Sequence, residues 1–230
     1  FLNTHREELS GSNRRLVIQE SSTIEICHDK WNLSKFMELE GFNSPKTFLL
    51  AESDPPDIFP LIAKERTGEG GKNQSLIEDQ QDLDYCMEKY PNHIFQELIR
   101  GREFSVDLFA DIKGNPQLIV PRERLSVRGG EVMTSKIDMN ESIIDLVEAL
   151  SRRLALTGPC TIQGILDDSG TFFFTDLNLR FGSGTVHTIA AGGNIPLMIY
   201  QEMAGQEFYK PSIKDQSIMA RYPESIFHHP

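Results

Sequence analysis

Apolar and polar positions recur along the chain with two periods, and together they predict a mixture of helices and strands. A helical period covers Asp29–Glu40, where apolar residues lie among charged neighbours and Gly41 follows as a C-terminal cap. The clearest apolar stripe lies in Glu141–Leu156, and the same period predicts helices over Asp79–Glu88 and Ile195–Met203. These four segments are the predicted helices.

Strands are predicted where short runs are apolar or alternate between apolar and polar residues. The predicted strands are Leu16–Ile18, Thr47–Ala51, Leu61–Ala63, Ile94–Ile99, Glu103–Ala110, Gln117–Val120, Thr161–Leu166 and Thr171–Leu177. Turns containing glycine, Asp111–Pro116 and Asp167–Gly170, join the last four strands into two hairpins. Helices mixed with antiparallel hairpins predict an α+β (mixed α/β) fold rather than a series of parallel βαβ units.

Composition and charge narrow the classes of function. The 230 residues include 23 Lys and Arg against 34 Asp and Glu, a net charge of −11, which argues against a nucleic-acid-binding surface. A small polyanionic ligand stays open, because a few local cations are enough to bind one. No apolar run reaches the roughly 18 to 20 residues of a membrane span. The 3 Cys are widely spaced without a CxxC pair, which favours a reducing, cytoplasmic compartment.

The first stretch that could carry chemistry is Ala63–Lys72, a strand end followed by a glycine-rich turn. Lys64 ends the apolar run, and three glycines follow it before Lys72. An ammonium group and bare backbone N–H groups can surround phosphate oxygens in this arrangement. The stretch matches neither the Walker A pattern nor GxGxxG, and when it is taken alone a hairpin turn with solvated charges is the favoured interpretation.

The second stretch, Phe95–Asp107, joins two strands through a tight glycine turn. Glu97 and Glu103 lie near its two ends. An extended backbone beside an apolar pocket can pair with the edge of an adenine, and a nearby carboxylate can accept ribose hydroxyls. An ordinary surface hairpin is the alternative.

The third stretch carries the strongest signal. Asp176 and Asn178 are two residues apart in a strand, so their side chains share a face, and Gln163 on the paired strand can share it. Carboxylate and amide oxygens suit Mg²⁺, which completes its coordination with phosphates and water. Arg180 adds a planar guanidinium for a phosphate or carboxylate. A charged strand end without a ligand is the alternative.

In this order the stretches resemble the ATP-grasp superfamily, and within it the synthetase domain of the carbamoyl-phosphate synthase large subunit and related carboxylate–amine ligases. The segments that carry the resemblance are His28-Asp29-Lys30 with Gly41 and Pro45, LIAK (61–64) with the glycine loop, FQELIRGREFSVD (95–107), TIQGILDDSGTFFFTDLNLRFGSG (161–184) and AGGNIP (191–196). The similarity runs from Ile24 to Gly205. Each motif is degenerate alone, but their common order is specific.

The resemblance implies Mg-ATP as cofactor, with Mn²⁺ as an alternative metal, and it implies roles for individual residues. The residues it assigns to the nucleotide are Lys30, Lys64, Gly68, Gly70, Gly71, Lys72, Glu97, Leu98, Ile99 and Glu103. Glu97–Ile99 would meet adenine, Glu103 the ribose, and the lysines and glycines the phosphates. Gln163, Asp176 and Asn178 would bind the metal ion. Lys64 and Arg180 would be the catalytic residues.

Substrate recognition is expected from Arg122, Arg124 and Arg180, and from a variable loop at Val127–Lys136. The implied architecture is an ATP-grasp fold of two α+β lobes that sandwich the nucleotide. Residues 1–25 would be the remnant of a preceding Rossmann-like lobe, 26–94 the small lobe with its glycine-rich lid, 95–212 the large lobe with the metal site, and 213–230 a C-terminal tail.

The implied activity is an ATP-dependent ligation of EC class 6.3, in which a carboxylate becomes an acyl phosphate and an amine or similar nucleophile displaces phosphate. The expected partners are small-molecule carboxylates and amines and a second copy in a homodimer, without nucleic acid or membrane. Asp176 and Leu179 stand where the family has Glu and Pro. These differences favour the alternative, a degenerate module that binds nucleotide without ligase activity. A kinase-like phosphotransferase is a third option.

Overall fold

A computed structural model of the chain describes residue 5 and residues 17–49, 57–68, 74–222 and 224. Within these ranges the chain forms six helices and two antiparallel sheets. The helices are α1 (Ser21–His28), α2 (Lys30–Glu40), α3 (Gln80–Lys89), α4 (Glu141–Arg153), α5 (Thr185–Ala190) and α6 (Ile195–Met203). The strands are β1 (Thr47–Phe48), β2 (Leu61–Glu65), β3 (Ser75–Ile77), β4 (His93–Glu97), β5 (Arg102–Ala110), β6 (Pro116–Arg128), β7 (Glu131–Ile137), β8 (Gly158–Leu166), β9 (Phe172–Asn178) and β10 (Ile218–Ala220). The predicted α+β (mixed α/β) class is confirmed.

The predicted helices are capped at their ends by side chains and by the glycine that the sequence analysis singled out. The Asp29 carboxylate accepts a hydrogen bond from the Trp31 backbone N–H at 2.9 Å and begins α2. Gly41 ends that helix with φ +75°, a left-handed conformation that glycine adopts without strain. The Asn140 side chain accepts from the Ile143 N–H at 3.1 Å and begins α4.

The smaller sheet has four strands in the order β1-β4-β2-β3. Strand β2 lies between β4 and β3, with Leu61 opposite Glu97 on one side and Ile77 on the other. One face of this sheet packs against α3 around buried Leu61, Leu83 and Phe95. Because β2 is held on both sides, the position of its C-terminal end is fixed.

The larger sheet has six strands in the order β10-β7-β6-β5-β8-β9, so β5 lies near its centre. Alternate residues of a strand point to opposite faces. Phe104, Val106 and Leu108 contribute to the main apolar core, which also contains the stripe of α4. Glu103 and Asp107 alternate with them and therefore point to the opposite face. This sheet consequently has an apolar face toward α4 and a face with polar groups.

The two sheets come from consecutive parts of the chain. In chain order, β4 is the last strand of the smaller sheet and ends at Glu97, and β5 is the first strand of the larger sheet and begins at Arg102. The expected lobe boundary between residues 94 and 95 therefore falls inside β4, and the chain changes sheet over residues 98–101. None of the helices in the described part of the chain has the length and apolarity that crossing a membrane requires.

Several predicted elements differ from the structure. Val17 and Ile18 of the predicted strand Leu16–Ile18 are not in a strand, and the polar segment after them forms the helix α1. Leu16, and Leu50 and Ala51 of the predicted strand Thr47–Ala51, lie outside the described residues. The segment Val127–Lys136, expected to be a variable loop, instead ends β6 and forms most of β7, with the turn at Gly129 and Gly130. These long strands pair along most of their length, which a reading of short apolar runs does not reveal.

Candidate functional site

A cleft of about 1000 Å³ is lined by residues of both sheets. Many of the predicted site residues line it. They are Lys30, Lys64, Gly68, Glu97, Leu98, Ile99, Glu103, Arg124, Gln163, Asp176, Asn178 and Arg180. The structure thus brings residues that are up to 150 positions apart in the chain into one cavity. Gly70, Gly71 and Lys72 lie outside the described residues.

Lys64 projects into the cleft from β2 and is half-buried. Burial lowers the pKa of Lys64, Asp176 opposes that shift, Lys30 adds to it, and Glu103 opposes it. These influences place the ammonium group of Lys64 in the field of one further cation and two carboxylates. A dianionic or trianionic ligand would raise the pKa of this lysine and so favour its charged form.

Lys30 lies at the start of α2 and is tied to the segment that follows β2. Its Nζ donates to the Gly68 carbonyl oxygen at 2.5 Å, and its backbone N–H donates to the Arg66 carbonyl oxygen at 3.0 Å. Arg66 in turn forms an ion pair with the Asp29 carboxylate at 2.7 Å. The start of α2 and the end of β2 are thereby held together at this end of the cleft.

The connection between the two sheets forms another wall. Glu97, Leu98 and Ile99 line the cleft, and the Leu98 N–H donates to the Pro60 carbonyl oxygen at 3.2 Å. Gly101 has φ +155°, and a Cβ there would lie 2.2 Å from the Leu166 carbonyl oxygen. Only glycine fits so close to that backbone. The connection is therefore fixed against the β8–β9 hairpin.

The C-terminal end of β9 carries Asp176 and Asn178, whose side chains share one face of the sheet, as the sequence predicts. Gln163 pairs directly with Asp176 across the β8–β9 ladder, and Thr161 pairs with Asn178. Asp176 accepts from the Asn178 side-chain amide at 3.3 Å. A bulge between Gln163 and its neighbour Gly164 leaves one extra residue on β9. The carboxylate and two amide side chains lie together on the face of the sheet that lines the cleft.

With this geometry in place, comparison with known proteins identifies the family. The family model of the ATP-grasp domain matches residues 27–184, more than half of the chain. The chain belongs to the ATP-grasp family. The matched range contains β2 and β4, whose residues line the cleft, and the whole β8–β9 hairpin.

Individual relatives are more distant. Carbamoyl-phosphate synthase of Methanobrevibacter smithii is 23% identical over 165 residues, which are 70% of this chain and 40% of that protein. Biotin carboxylase of Campylobacter jejuni, solved as a β-γ-ATP complex, is similar in structure, with a TM-score of 0.76 at 16% identity. The similar region spans 96% of this chain and 55% of the biotin carboxylase chain. N5-carboxyaminoimidazole synthetase of Staphylococcus aureus, solved with ADP, has a TM-score of 0.73 at 18% identity. The similar region spans 89% of this chain and 59% of the synthetase chain. This chain spans less than two thirds of each of these proteins, and the two structures support the fold alone.

Beneath the ATP-grasp cleft lies a buried carboxylate that the sequence analysis did not single out. Asp107 is 0% exposed. It accepts hydrogen bonds from Arg122 Nε at 2.8 Å, from the hydroxyls of Thr185 at 2.8 Å and Thr161 at 3.2 Å, and from the hydroxyl of Thr188. The two charges therefore form an ion pair, and the carboxylate is fully hydrogen-bonded, whereas Nη1 of Arg122 is buried without a hydrogen-bond partner in the described part of the chain. We call these five residues the Asp107 network.

The Asp107 network supports the segment that carries Arg180. The Thr161 hydroxyl lies 3.2 Å from both the Asp107 carboxylate and the Arg180 carbonyl oxygen, so these two acceptors share its one proton. The Thr185 hydroxyl accepts from the Gly182 N–H at 3.1 Å, and the Thr185 N–H donates back to the Gly182 carbonyl oxygen at 3.1 Å. Leu179 packs against the main core. The segment is thus anchored on both sides of Arg180, although it lacks the proline that the family has there.

Of the two remaining predicted arginines, Arg122 does not line the cleft and Arg124 does. Arg122 is 1% exposed and forms an ion pair with Asp107, so it does not line the cleft. A Cβ on Gly184 would lie 2.3 Å from Arg122 Nη1, which shows how closely the backbone covers this guanidinium. Arg124 does line the cleft, but it pairs with Glu103 at 3.4 Å and so lies at the end expected to hold the ribose. We therefore drop Arg122 from the substrate contacts.

The donor set at β9 fits a metal ion that arrives with phosphate. Among the described residues no group of three His, Cys, Asp or Glu side chains could hold a metal. Asp176 supplies one carboxylate, and Gln163 and Asn178 supply amide oxygens on the same face. Mg²⁺ is commonly bound through one or two carboxylates together with substrate phosphates. These three residues therefore suit Mg²⁺ shared with a nucleotide rather than an ion held by protein groups alone.

One pattern could have revealed the Asp107 network. Asp107 is the only charged residue in the buried run Phe104–Ala110, and a carboxylate in such a run needs a cation or several donors. Arg122 is the first arginine of the next strand. The partners Thr185 and Thr188 follow only from the tertiary structure, because they lie on α5, which the sequence analysis did not predict.

Proposed function

We propose that this ATP-grasp chain is a Mg-ATP-dependent ligase that converts a carboxylate into an acyl phosphate, which an amine or similar nucleophile then attacks. The observation that supports this most strongly is that Lys30 and Lys64 of one wall, and Asp176 and Arg180 of the other, line one cleft. Two cations from one wall and a carboxylate with a guanidinium from the other suit a triphosphate and an acceptor that meets it.

In this proposal the adenine lies against Glu97–Ile99 and the ribose hydroxyls bond to Glu103. Lys64 and Lys30 bind phosphate oxygens, and Gly68, with Gly70, Gly71 and Lys72, covers them. Gln163, Asp176 and Asn178 would hold Mg²⁺, which when bound neutralises phosphate charge; Mn²⁺ is an alternative with the same oxygen preference.

The chemistry needs no covalent bond to the protein. A carboxylate oxygen of the acceptor attacks the γ-phosphorus, the bond to the β-γ bridging oxygen breaks, and ADP leaves with that electron pair. Lys64 and Arg180 stabilise the negative charge of the phosphoryl group as it transfers. The amine then attacks the acyl carbon, inorganic phosphate leaves with the electron pair of the C–O bond, and the nitrogen loses a proton to solvent. Positioning and charge neutralisation are the contributions of the protein.

The direct test incubates the chain with Mg-ATP and pools of amino acids and small carboxylates, and measures ADP and phosphate. The proposal expects ADP and phosphate in equal amounts, and only when both an acceptor carboxylate and a nucleophile are present. ADP with a stable phosphorylated product and no free phosphate would instead indicate a kinase-like phosphotransferase.

The second candidate is a nucleotide-binding or regulatory module without ligase activity. It is favoured by the single carboxylate of the metal-binding set, Asp176, whose side chain is one methylene shorter than the Glu of the family. Nucleotide binding measured by calorimetry, without turnover in any substrate pool, would favour this candidate.

Surroundings and assembly are part of the same proposal. Cys27, Cys86 and Cys160 are free and buried, which suits a reducing compartment such as the cytoplasm. We propose small-molecule carboxylates and amines as its substrates and a homodimer as its assembly.

A further inference from the structure

A second cavity opens beside the cleft, at the edge of the larger sheet that β9 forms. Its volume is about 370 Å³, and it lies between residues 17–19, α1 and the end of β9. Much of its wall is apolar and comes from Val17, Ile18, Ile24, Pro159, Leu177 and Leu179. The roles proposed above do not use these six residues.

The second cavity and the cleft share one wall. Lys30, Gly68, Asp176, Asn178 and Arg180 line both. These are the residues that the proposed function places around the phosphates and the metal ion. The two cavities therefore meet at the phosphate end of the nucleotide, whereas the adenine-side residues Glu97–Ile99 line the cleft alone.

Charge at this junction favours a carboxylate. Two cationic side chains, Lys30 and Arg180, line it together with one acid, Asp176. The Asp176 carboxylate already accepts from the Leu177 N–H at 3.1 Å and from the Asn178 amide at 3.3 Å. An anionic head group at the junction consequently meets more positive than negative charge, while the space behind it is apolar.

The size of the cavity sets the size of the ligand. Small-molecule sites span roughly 300 to 1000 Å³, and a dry cavity of about 150 Å³ holds a benzene ring. The second cavity therefore has room for an apolar group of the size of a branched aliphatic or aromatic side chain, with its carboxylate at the junction. A charged far end would lie among the half-buried apolar side chains of Val17, Ile18 and Ile24, where His28 is the one described residue of this part of the lining that could carry an opposite charge.

We propose that the second cavity is the acceptor site and that the acceptor is a monocarboxylate with one apolar group. The carboxylate lies at the junction with the cleft, and the apolar group extends toward Ile24 of α1. The identification of the cavity as an acceptor site rests on the proposed function. The binding of such a carboxylate by the cavity is a separate property that can be measured alone.

The test measures binding of acetate, propanoate, butanoate, pentanoate and 3-phenylpropanoate by calorimetry, with a non-hydrolysable ATP analogue and Mg²⁺ present. Each methylene that enters the apolar space should strengthen binding about fourfold. Succinate, which carries a second carboxylate, should bind no better than acetate. Affinities that do not depend on chain length, or succinate binding as tightly as pentanoate, would overturn the proposal.

Two variants on α1 form a matched pair. Ile24→Trp fills the cavity and should remove the gain in affinity with chain length, whereas Glu25→Trp adds the same side chain at the exposed neighbouring position and should leave the gain unchanged. Ile24→Ala enlarges the cavity and should move the optimum toward longer chains; this variant decides the matter if Ile24→Trp fails to fold. An unchanged preference in Ile24→Ala would contradict the proposal.

Parallel measurement of nucleotide binding and ADP release separates this inference from the proposed function. Chain-length-dependent binding without any ADP release leaves the acceptor-site geometry intact and contradicts ligase activity. ADP release that depends on polar or dicarboxylate substrates, with no preference for apolar ones, leaves ligase activity intact and overturns the inference.

Discussion

The two walls of the cleft are held in different ways. On the smaller sheet, Lys64 is a half-buried cation whose pKa is lowered by burial, and it stands at the end of a strand. On the larger sheet, Arg180 lies on a segment anchored from below by the Asp107 network. On the wall of the smaller sheet, a bound anion would change the protonation of Lys64. On the wall of the larger sheet, hydrogen bonds hold the segment of Arg180 in place before a ligand binds. Variants of the two walls should therefore fail differently.

The largest effect is expected at the wall of the larger sheet, from Asp176→Ala. Removing the one carboxylate of the metal-binding set should lower ADP release by at least about a hundredfold, because phosphate charge is then no longer neutralised. The fold should stay intact, as seen by circular dichroism. Asp168→Ala, an exposed carboxylate in the turn of the same hairpin, is the control. Unchanged ADP release in Asp176→Ala would end the metal assignment.

Arg122→Met tests the support beneath that wall. The substitution leaves Asp107 buried without its cation, so the free energy of unfolding should fall by about 3 to 5 kcal/mol. Urea unfolding gives that value, with exposed Arg128→Met as the control. The double variant Asp107→Asn/Arg122→Met removes both charges but keeps an oxygen acceptor for the threonine hydroxyls, and it should recover part of the stability. If Arg122→Met is as stable as the native chain, the network does not hold the wall.

At the wall of the smaller sheet, Lys64→Met should weaken nucleotide binding by roughly tenfold to a hundredfold, the contribution of a charge-assisted hydrogen bond. It should leave the free energy of unfolding unchanged or slightly higher, because burial of this ammonium group lowers its pKa and so disfavours the folded state below the ordinary pKa of a lysine. Calorimetry and urea unfolding check the two values. A large loss of stability with normal nucleotide affinity would reverse the comparison.

Lys64 should also couple nucleotide binding to proton uptake. A phosphate raises the lowered pKa of this lysine, so the complex takes up protons at pH values between the free and bound pKa. Affinity should consequently fall as pH rises through that window. Calorimetry in buffers of different ionisation enthalpy measures the uptake, and Lys64→Met should abolish it. Equal uptake by Lys64→Met would assign the proton to another group.

The smallest effect is expected at His187, next to the Asp107 network. Burial lowers the pKa of His187, Arg122 adds to the shift, and Asp107 opposes it. Its Nδ1 lies 2.8 Å from the Ser135 hydroxyl. Because protonation is disfavoured in the folded state, the contribution of His187 is present above the ordinary histidine pKa and is lost as pH falls below it. Urea unfolding at a series of pH values should show a weaker acid dependence in His187→Asn.

The sequence predicted the elements whose signals are local. Gly41 was predicted as the C-terminal cap of α2, and the alternation of residues around Asp176 predicted that Asn178 shares its face. The direct pairing of Asp176 with Gln163 is known only from the structure. Arg122 was misplaced because strand alternation does not say which polar face is buried. Its partner Asp107 is also held by the hydroxyl of Thr188, 81 positions further along the chain. The second cavity was missed for a similar reason, since α1 and the edge of β9 meet only in the folded chain.

Trapping the acyl phosphate tests the central claim most directly. The chain is incubated with Mg-ATP, a carboxylate pool and hydroxylamine, which converts an acyl phosphate into a hydroxamate that mass spectrometry detects. The account predicts hydroxamate and ADP in equal amounts, with neither formed by Asp176→Ala. Bound nucleotide without hydroxamate, or ADP formed in full without it, would contradict the account.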